Sequence, residues 1–350
     1  MLQMATILCY ASYFLFATTL IPLIKHDFWI FRVFEYPRLQ KLVINLALIV
    51  LILCFAFPKE RYSYLVLAML VVNLIYLCYL IFPYTRLAQK QIVTTKNPSG
   101  ANNLKILIAN VYQENRNWAA YFKIIKDCGP DIVLMVETNG WWQEQMDGLS
   151  NTYPYQHKVP LENTYGMLLY SKLPLEGKVD FLVEADIPSI ETVVSLASGK
   201  KVRLFCLHPK PPVPQENPRS TERDKEILLV AKKANASELP VVVMGDLNDV
   251  AWSYTTGLFG KISGLLDPRR GRGFFNSFNA KYFFLRFPLD HIFCSSDFAL
   301  RSIKRLASCG SDHFPVYVNL ELAPQLEQFN ESLEATPEEK QLAAQKIEAC

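Results

Sequence analysis

Leu239–Trp252 reads LPVVVMGDLNDVAW. Val241 to Met244 is a run of β-branched and apolar residues, the pattern of a buried strand. It stops at Gly245 and sets Asp246, Asn248 and Asp249 within the next four positions. Gly, Asp and Asn are common turn residues, and a turn is the simplest account of them. The rest of the chain argues for more. Ile106–Ala109 ends in Asn110, Ile132–Val136 in Glu137 and Leu204–Leu207 in His208, while Asp290-His291 and Asp312-His313 each sit beside a further apolar run. Six runs thus deliver amides, carboxylates and imidazoles, and three of the five histidines stand in these places.

With GMLLYSK (Gly166–Lys172) among them, these runs alternate with helix-like stretches at Asn117–Cys128 and Thr221–Asn235, which defines a mixed α/β domain over residues 104–322. HPKPPVPQENP, residues 208–218, reads as an extended surface segment. The tail, residues 323–350, holds 2 Lys+Arg against 6 Asp+Glu, and its Thr336, Pro337 and Glu339 predict an N-cap, a proline at the first helical position and a capping box.

Upstream the character changes. Residues 1–24 carry no Lys, Arg, Asp or Glu, and Met4–Ile24 is apolar for about the 20 residues that cross a bilayer. Leu42–Pro58 and Tyr62–Tyr84 predict two more transmembrane helices, the last with aromatic residues at both ends. A cleaved signal peptide would have a basic region before the first run, and there is none. Residues 1–85 therefore read as a membrane domain and 86–103, with Lys90, Lys96 and NPSG, as a linker. The eight cysteines form no CxxC and no zinc spacing, so neither a disulfide framework nor a structural zinc is expected. Residues 100–322 hold 25 Lys+Arg against 24 Asp+Glu. Proteins that grip long nucleic acids usually show a basic balance, so this near-neutral one weighs against a general DNA binder.

Were the strand ends gathered on one rim, their carboxylates would repel one another unless a cation sat among them. A hard divalent ion suits that ligand set, Mg²⁺ first and Mn²⁺ as a substitute. Hydrolysis of a phosphate ester follows from such a site: the metal neutralises phosphoryl charge, a carboxylate orients water and an imidazole protonates the leaving oxygen.

The ordered series N, E, H, GDLN, LDH and SDH.P, from Lys105 to Leu322, resembles the endonuclease/exonuclease/phosphatase superfamily, which includes pancreatic-type DNases, apurinic-site endonucleases, sphingomyelinases and inositol polyphosphate 5-phosphatases. The resemblance implies a DNase I-like fold, a β-sandwich flanked by helices in four α/β layers, here following three transmembrane helices. It also implies roles. Glu137 matches the principal metal ligand and Asp312 a further metal contact. Asn110 matches the amide beside metal-bound water or the neighbouring aspartate. Asp246 matches the residue that orients and deprotonates the attacking water, and Asn248 the contact to phosphoryl oxygens. His313 matches the imidazole on the scissile phosphate and Asp290 the carboxylate that orients it. His208 matches a histidine that some branches direct at the leaving group and others replace. His291 is expected to be structural, and Asp249 and Asp267 to be solvated turn residues.

Substrate recognition is expected from DPRRGRGFFNSFNAKYFFLRFPLDH, residues 267–291, where Arg269, Arg270, Arg272 and Arg286 offer planar donors for phosphate among seven aromatic residues. Aromatic rings and arginines could hold single-stranded nucleic acid, or a lipid tail and its phosphate. A membrane anchor raises the effective concentration of lipid substrates alone, which favours a lipid-linked phosphate or pyrophosphate over a tethered nuclease. A non-catalytic membrane interaction protein is the reading of another class. The positive-inside rule puts the catalytic domain in the cytoplasm; resemblance to membrane-anchored bacterial members of the superfamily leans the other way, to the outer side of a bacterial cell membrane.

Overall fold

The structure is a computed structural model that describes residues 2–55, 62–95 and 100–349. Three of its helices, α1 (Leu2–Leu20), α3 (Arg38–Phe55) and α4 (Tyr62–Ile81), are long and apolar enough to cross a membrane. The apolar stretches run Gln3–Leu23, Arg38–Phe55 and Tyr62–Tyr84, so the second begins four residues before the predicted Leu42, and residues 56–58 of that prediction lie outside the described residues. Each buries one stripe, such as Asn45, Leu48 and Ile52 on α3 and Val66, Leu70, Asn73 and Leu77 on α4. The outward faces keep Phe14, Val50, Leu65 and Ile75 exposed. Helices apolar all round suit a lipid surrounding. Asn73 donates to Asn45 Oδ1 at 2.9 Å and Asn45 to Leu70 O at 3.0 Å, joining α3 to α4. A short helix, α2 (Trp29–Arg32), lies between α1 and α3.

The remainder is a two-sheet sandwich. One sheet orders β10 (Phe298–Arg305), β11 (Val316–Leu322), β1 (Asn103–Asn110), β2 (Ile132–Val136), β4 (Met167–Ser171) and β3 (Tyr155–Val159). The other orders β5 (Leu175–Asp180), β6 (Ser189–Ser195), β7 (Lys201–Leu207), β8 (Val241–Asp246) and β9 (Asp290–Cys294). Their facing sides make one core, in which Ile106, Ile108 and Leu134 of the first sheet meet Leu204, Val242 and Met244 of the second. Helices α5 (Trp118–Cys128) and α6 (Gly140–Met146) cover the outer face of the first sheet through Tyr121, Ile125 and Trp142. Helices α7 (Thr221–Asn235) and α8 (Tyr254–Ser263) cover the second through Ile227, Val230 and Phe259. These are the four layers expected.

Strand direction then fixes the active edge. β1 and β2 run parallel, as do β7 and β8, so Asn110, Glu137, His208 and Asp246 leave their strands on the same side. β9 is antiparallel to β8 and starts there, with Asp290 paired to Asp246. Gly245 makes this edge possible: its φ is 143°, and a Cβ would come within 1.9 Å of Leu207 O on the neighbouring strand.

The segment expected as a linker is seated on the domain. Gln91 accepts from Asp267 N, and Thr95 N donates to Leu300 O. Residues 96–99, with Lys96, lie outside the described residues. The tail helix α9 (Pro337–Glu348) has the expected capping box, and its Lys346 reaches Asp224 of α7 at 2.7 Å.

Candidate active site

Asn110, at the end of β1, donates its amide to both Glu137 Oε1 (2.7 Å) and Asp246 Oδ2 (3.0 Å), bridging the two sheets. Asp246 Oδ1 accepts from Asn248 N at 2.9 Å, and Asn248 Nδ2 is tied to Pro209 O at 2.9 Å. His313 Nδ1 meets Asp290 Oδ2 at 2.8 Å, and its Nε2 lies 3.5 Å from Asp246 Oδ2. His208 is buried beside the Tyr165 ring, 5.4 Å away. Asp312 sits close enough to act on the charge of Glu137 and His313, and its backbone oxygen accepts from Ala280 N at 2.6 Å. The eight residues taken from the six motifs thus come together at one edge.

Three residues of this edge are held in left-handed backbone: Tyr112 (φ 58°), Glu137 (φ 58°) and Asn248 (φ 50°). Such strain persists where the surroundings over-determine it, and it clusters at functional sites.

The electrostatics are those of an acid surplus. Burial pushes the Glu137 carboxyl up to about 7, with His313 and the Asn110 amide pulling the other way. Burial also raises Asp246, against the pull of His313. Burial would lower His313, but Asp290 and Asp246 win and hold it at about 10, so the imidazole is a cation at neutral pH. His208, by contrast, is driven by burial down to about 4 and stays neutral. Among the described residues, Asp290 Oδ1 and His208 Nδ1 are buried without a hydrogen-bond partner. Ligand atoms of Asp246, Asp290 and His313 lie within 4.8 Å of one another, a grouping that could hold a metal ion only with His313 deprotonated, and the expected ligands Glu137 and Asp312 are not among them. An oxygen-rich set with more negative than positive charge fits a hard divalent cation.

The arginines divide. Arg269 is buried, bonds Asp267 at 2.8 Å and reaches His291 Nδ1 at 2.7 Å, so it braces the fold and is not open to a substrate phosphate. Arg272 spends its donors on Ile92 O, Pro268 O and Thr94 Oγ1. Arg270 stands over the Tyr84 ring, at the end of the third apolar stretch. Arg286 stands over the ring of Phe314, next to His313, with Arg305 on the same ring.

His291 is structural as expected, its Nε2 on Asp249 O at 2.8 Å. Asp249 and Asp267 are not solvated. Both are buried, Asp249 accepting from Ser253, Thr256 and Val250 N and lying 3.5 Å from Arg223, and Asp267 paired with Arg269. Turn composition does not reveal a buried cation elsewhere in the chain. Arg223 and Tyr36, both bonded to Asn248 O, are not legible in the sequence either. Their one signal is a cluster of charges, Arg32, Glu35 and Arg38, between two apolar stretches, where charge speaks first to topology.

The sequence model described as the Endonuclease/Exonuclease/phosphatase family matches residues 109–313, which span every site residue from Asn110 to His313. No curated protein sequence matches the chain. Among solved structures, a humanized D. rerio TDP2 is 17% identical, with a TM-score of 0.52, covering 63% of this chain and 99% of that one. The human Nocturnin catalytic domain is 16% identical with a TM-score of 0.52, covering 67% and 97%. An endonuclease/exonuclease/phosphatase from Beutenbergia cavernae is 15% identical with a TM-score of 0.50, covering 63% and 72%. At these identities the likeness is one of fold.

Proposed function

Since the chain belongs to the endonuclease/exonuclease/phosphatase family of metal-dependent phosphoester hydrolases, we propose that it is a Mg²⁺-dependent phosphohydrolase, anchored in a bilayer by residues 1–85, whose domain of residues 104–322 cleaves a lipid-linked phosphate ester or pyrophosphate.

One observation carries the choice of substrate. The hairpin closed by Phe278 and Phe287 touches the site at one end, through Ala280 N to Asp312 O, and the start of α3 at the other, through Gln40 Nε2 to Phe284 O at 2.9 Å. Four residues of chain span at most about 14 Å. The catalytic edge therefore stands at headgroup distance from the second apolar helix, and the hairpin tip there exposes Tyr282, Phe283 and Phe284. Arg286, behind that tip, is the arginine left to meet a substrate phosphate.

Glu137 and Asp312 would hold the metal, with Asn110 fixing the Glu137 carboxylate. The metal supplies neutralisation of phosphoryl charge. Asp246, braced by Asn110 and the Asn248 N–H, orients water and takes its proton. Asn248 contacts a phosphoryl oxygen through the second hydrogen of the amide that it donates to Pro209 O. His313, kept cationic and aimed by Asp290, donates from Nε2 to the phosphate. His208 is read as the neutral imidazole that meets the leaving group. The membrane is read as a bacterial cell membrane with the domain outside, supported by the layout of membrane-anchored members and opposed by the positive-inside rule; Lys59 and Arg61, the cations of the loop between the second and third apolar stretches, lie outside the described residues. A reporter that works only in the cytoplasm, fused after Leu322, would give no signal on this reading.

A tethered nuclease is the second reading, favoured by a D. rerio TDP2 structure of this fold complexed with single-strand DNA product and by the exposed aromatic hairpin tip. The deciding experiment sets phosphate release by purified full-length protein in detergent, with and without Mg²⁺, from lipid phosphates and pyrophosphates beside strand cleavage of DNA under the same conditions. Mg²⁺-dependent release from the lipids alone is expected; nicking of DNA alone would replace this reading with the nuclease.

A further inference from the structure

The segment between α1 and α3 is built into the catalytic domain. Trp29 N donates to Pro218 O and Ser220 N to Asp27 O, each at 2.8 Å. Further along, Arg32 Nη2 donates to Thr255 Oγ1 at 2.7 Å, Trp252 Nε1 to Glu35 O at 2.9 Å, and the Arg38 guanidinium to Trp252 O. Arg32, Glu35 and Arg38 are all more than nine-tenths buried, as are Arg223, Asp224 and Asp249 opposite them. A flexible tether needs none of this.

The contacts converge on one carbonyl. Asn248 O accepts from Tyr36 Oη at 2.8 Å and from Arg223 Nη1 at 2.7 Å. Asn248 is held in left-handed backbone, a conformation that a residue with a side chain keeps only under constraint. Its N–H is already bonded to Asp246, so the two donors on its oxygen fix the other end of the residue. One of those donors comes from the membrane-side segment. The Tyr36 ring is seated edge-on to Phe287, 5.7 Å away, at the base of the hairpin that leads to the site.

We propose that Tyr36 is a positioning residue of the active site: through its hydroxyl on Asn248 O, the segment between the first two apolar helices sets the Asn248 backbone, so the membrane domain completes the catalytic centre. This rests on the reading of Asn248 as a phosphoryl contact.

The test is a double-mutant cycle on the full-length protein, with kcat and KM measured separately. Tyr36→Phe keeps the ring and removes one donor. It should lower kcat by about three- to ten-fold, the range one hydrogen bond allows, and leave KM unchanged. Asn248→Ala should lower kcat by about 10²-fold, and Tyr36→Phe in that background should add less than about two-fold, since coupled residues do not add. Trp252→Phe removes another bond to the same segment without touching Asn248, and should leave kcat as it is. Wild-type kcat in Tyr36→Phe, an undiminished loss in the Asn248→Ala background, or an equal loss in Trp252→Phe would each overturn the inference while Asn248 kept its role. A silent Asn248→Ala would overturn the reading of Asn248 itself and the inference with it.

Discussion

On one side of the loop Asp246–Asp249, the carboxylates of Glu137, Asp246 and Asp290 face a single protonated imidazole, His313. On the other side, Glu35, Asp224 and Asp249 face Arg32, Arg38, Arg223 and Lys346, with Arg223 at 2.9 Å from Asp224 and 3.5 Å from Asp249. Both clusters are buried and both touch the same strand end. One is neutralised by the protein itself. The other sets three carboxyls against that one cation, and desolvation raises Glu137 and Asp246, an arrangement that a fold tolerates when something else will bind there. The compensated cluster holds Asn248 from behind, and the uncompensated one is where the proposed chemistry lies.

If that contrast is right, the same substitution should do opposite things on the two sides. Asp246→Ala is expected to lower turnover by about 10² to 10⁴, the range of a lost general base. It should cost the fold no more than about 1 kcal/mol, because the hydrogen bonds lost are offset by removing a buried charge that desolvation penalises. Asp224→Ala should instead destabilise by about 3–5 kcal/mol, the cost of leaving buried cations unpaired, with turnover per folded molecule largely kept. Denaturant unfolding and turnover, measured on both variants, decide it. Equal destabilisation by the two would mean that the clusters do not differ in kind.

A smaller effect sharpens the point. Mg²⁺ binding to the uncompensated cluster should stabilise the folded chain by about 2.7 kcal/mol at a hundred times its dissociation constant. Chelation should reverse the gain and Glu137→Ala abolish it, while Asp224→Ala should keep the increment on a lower baseline. A thermal midpoint that ignores Mg²⁺ in the wild type would mean that the acid surplus does not serve to bind this cation.

How far the sequence foretold this differs between the two clusters. The strands that carry the site, β1, β2, β7, β8 and β9, are buried at almost every position, so their apolar runs stand out and their polar ends are conspicuous. Strand β5, LEGKVD, has no buried position, and β10 loses its burial halfway, so neither shows a run. The compensated cluster was illegible for a different reason. Its members come from the segment before α3, from α7, from the strand-end loop and from α9, and pairing between segments so far apart in the chain leaves no local pattern. Arg32, Glu35 and Arg38 look like ordinary loop charges, and Asp249 like an ordinary turn residue, until the fold buries them together.

Glu226 tests the rule by a third route. It is buried on α7, accepts from Ser189 Oγ at 2.6 Å, and burial pushes its carboxyl up to about 7, with the Ser189 hydrogen bond working against the rise and Glu184 adding to it. Here the charge is removed by a proton. A folded pKa above the unfolded value of 4.5 means that the native state binds the extra proton between these limits. Stability from this group is therefore full below about pH 4.5 and is lost as pH rises through about 7. Glu226→Gln keeps the acceptor and cannot ionise. It should match the wild type near pH 4 and exceed it by about 3 kcal/mol at pH 8, which is what a rise from 4.5 to about 7 amounts to at about 1.4 kcal/mol per unit. The comparison is best made by urea unfolding at the two pH values. A gain that is the same at both would mean that Glu226 is ionised in the fold throughout, and that a buried acid in this protein can stand without cation, metal or proton.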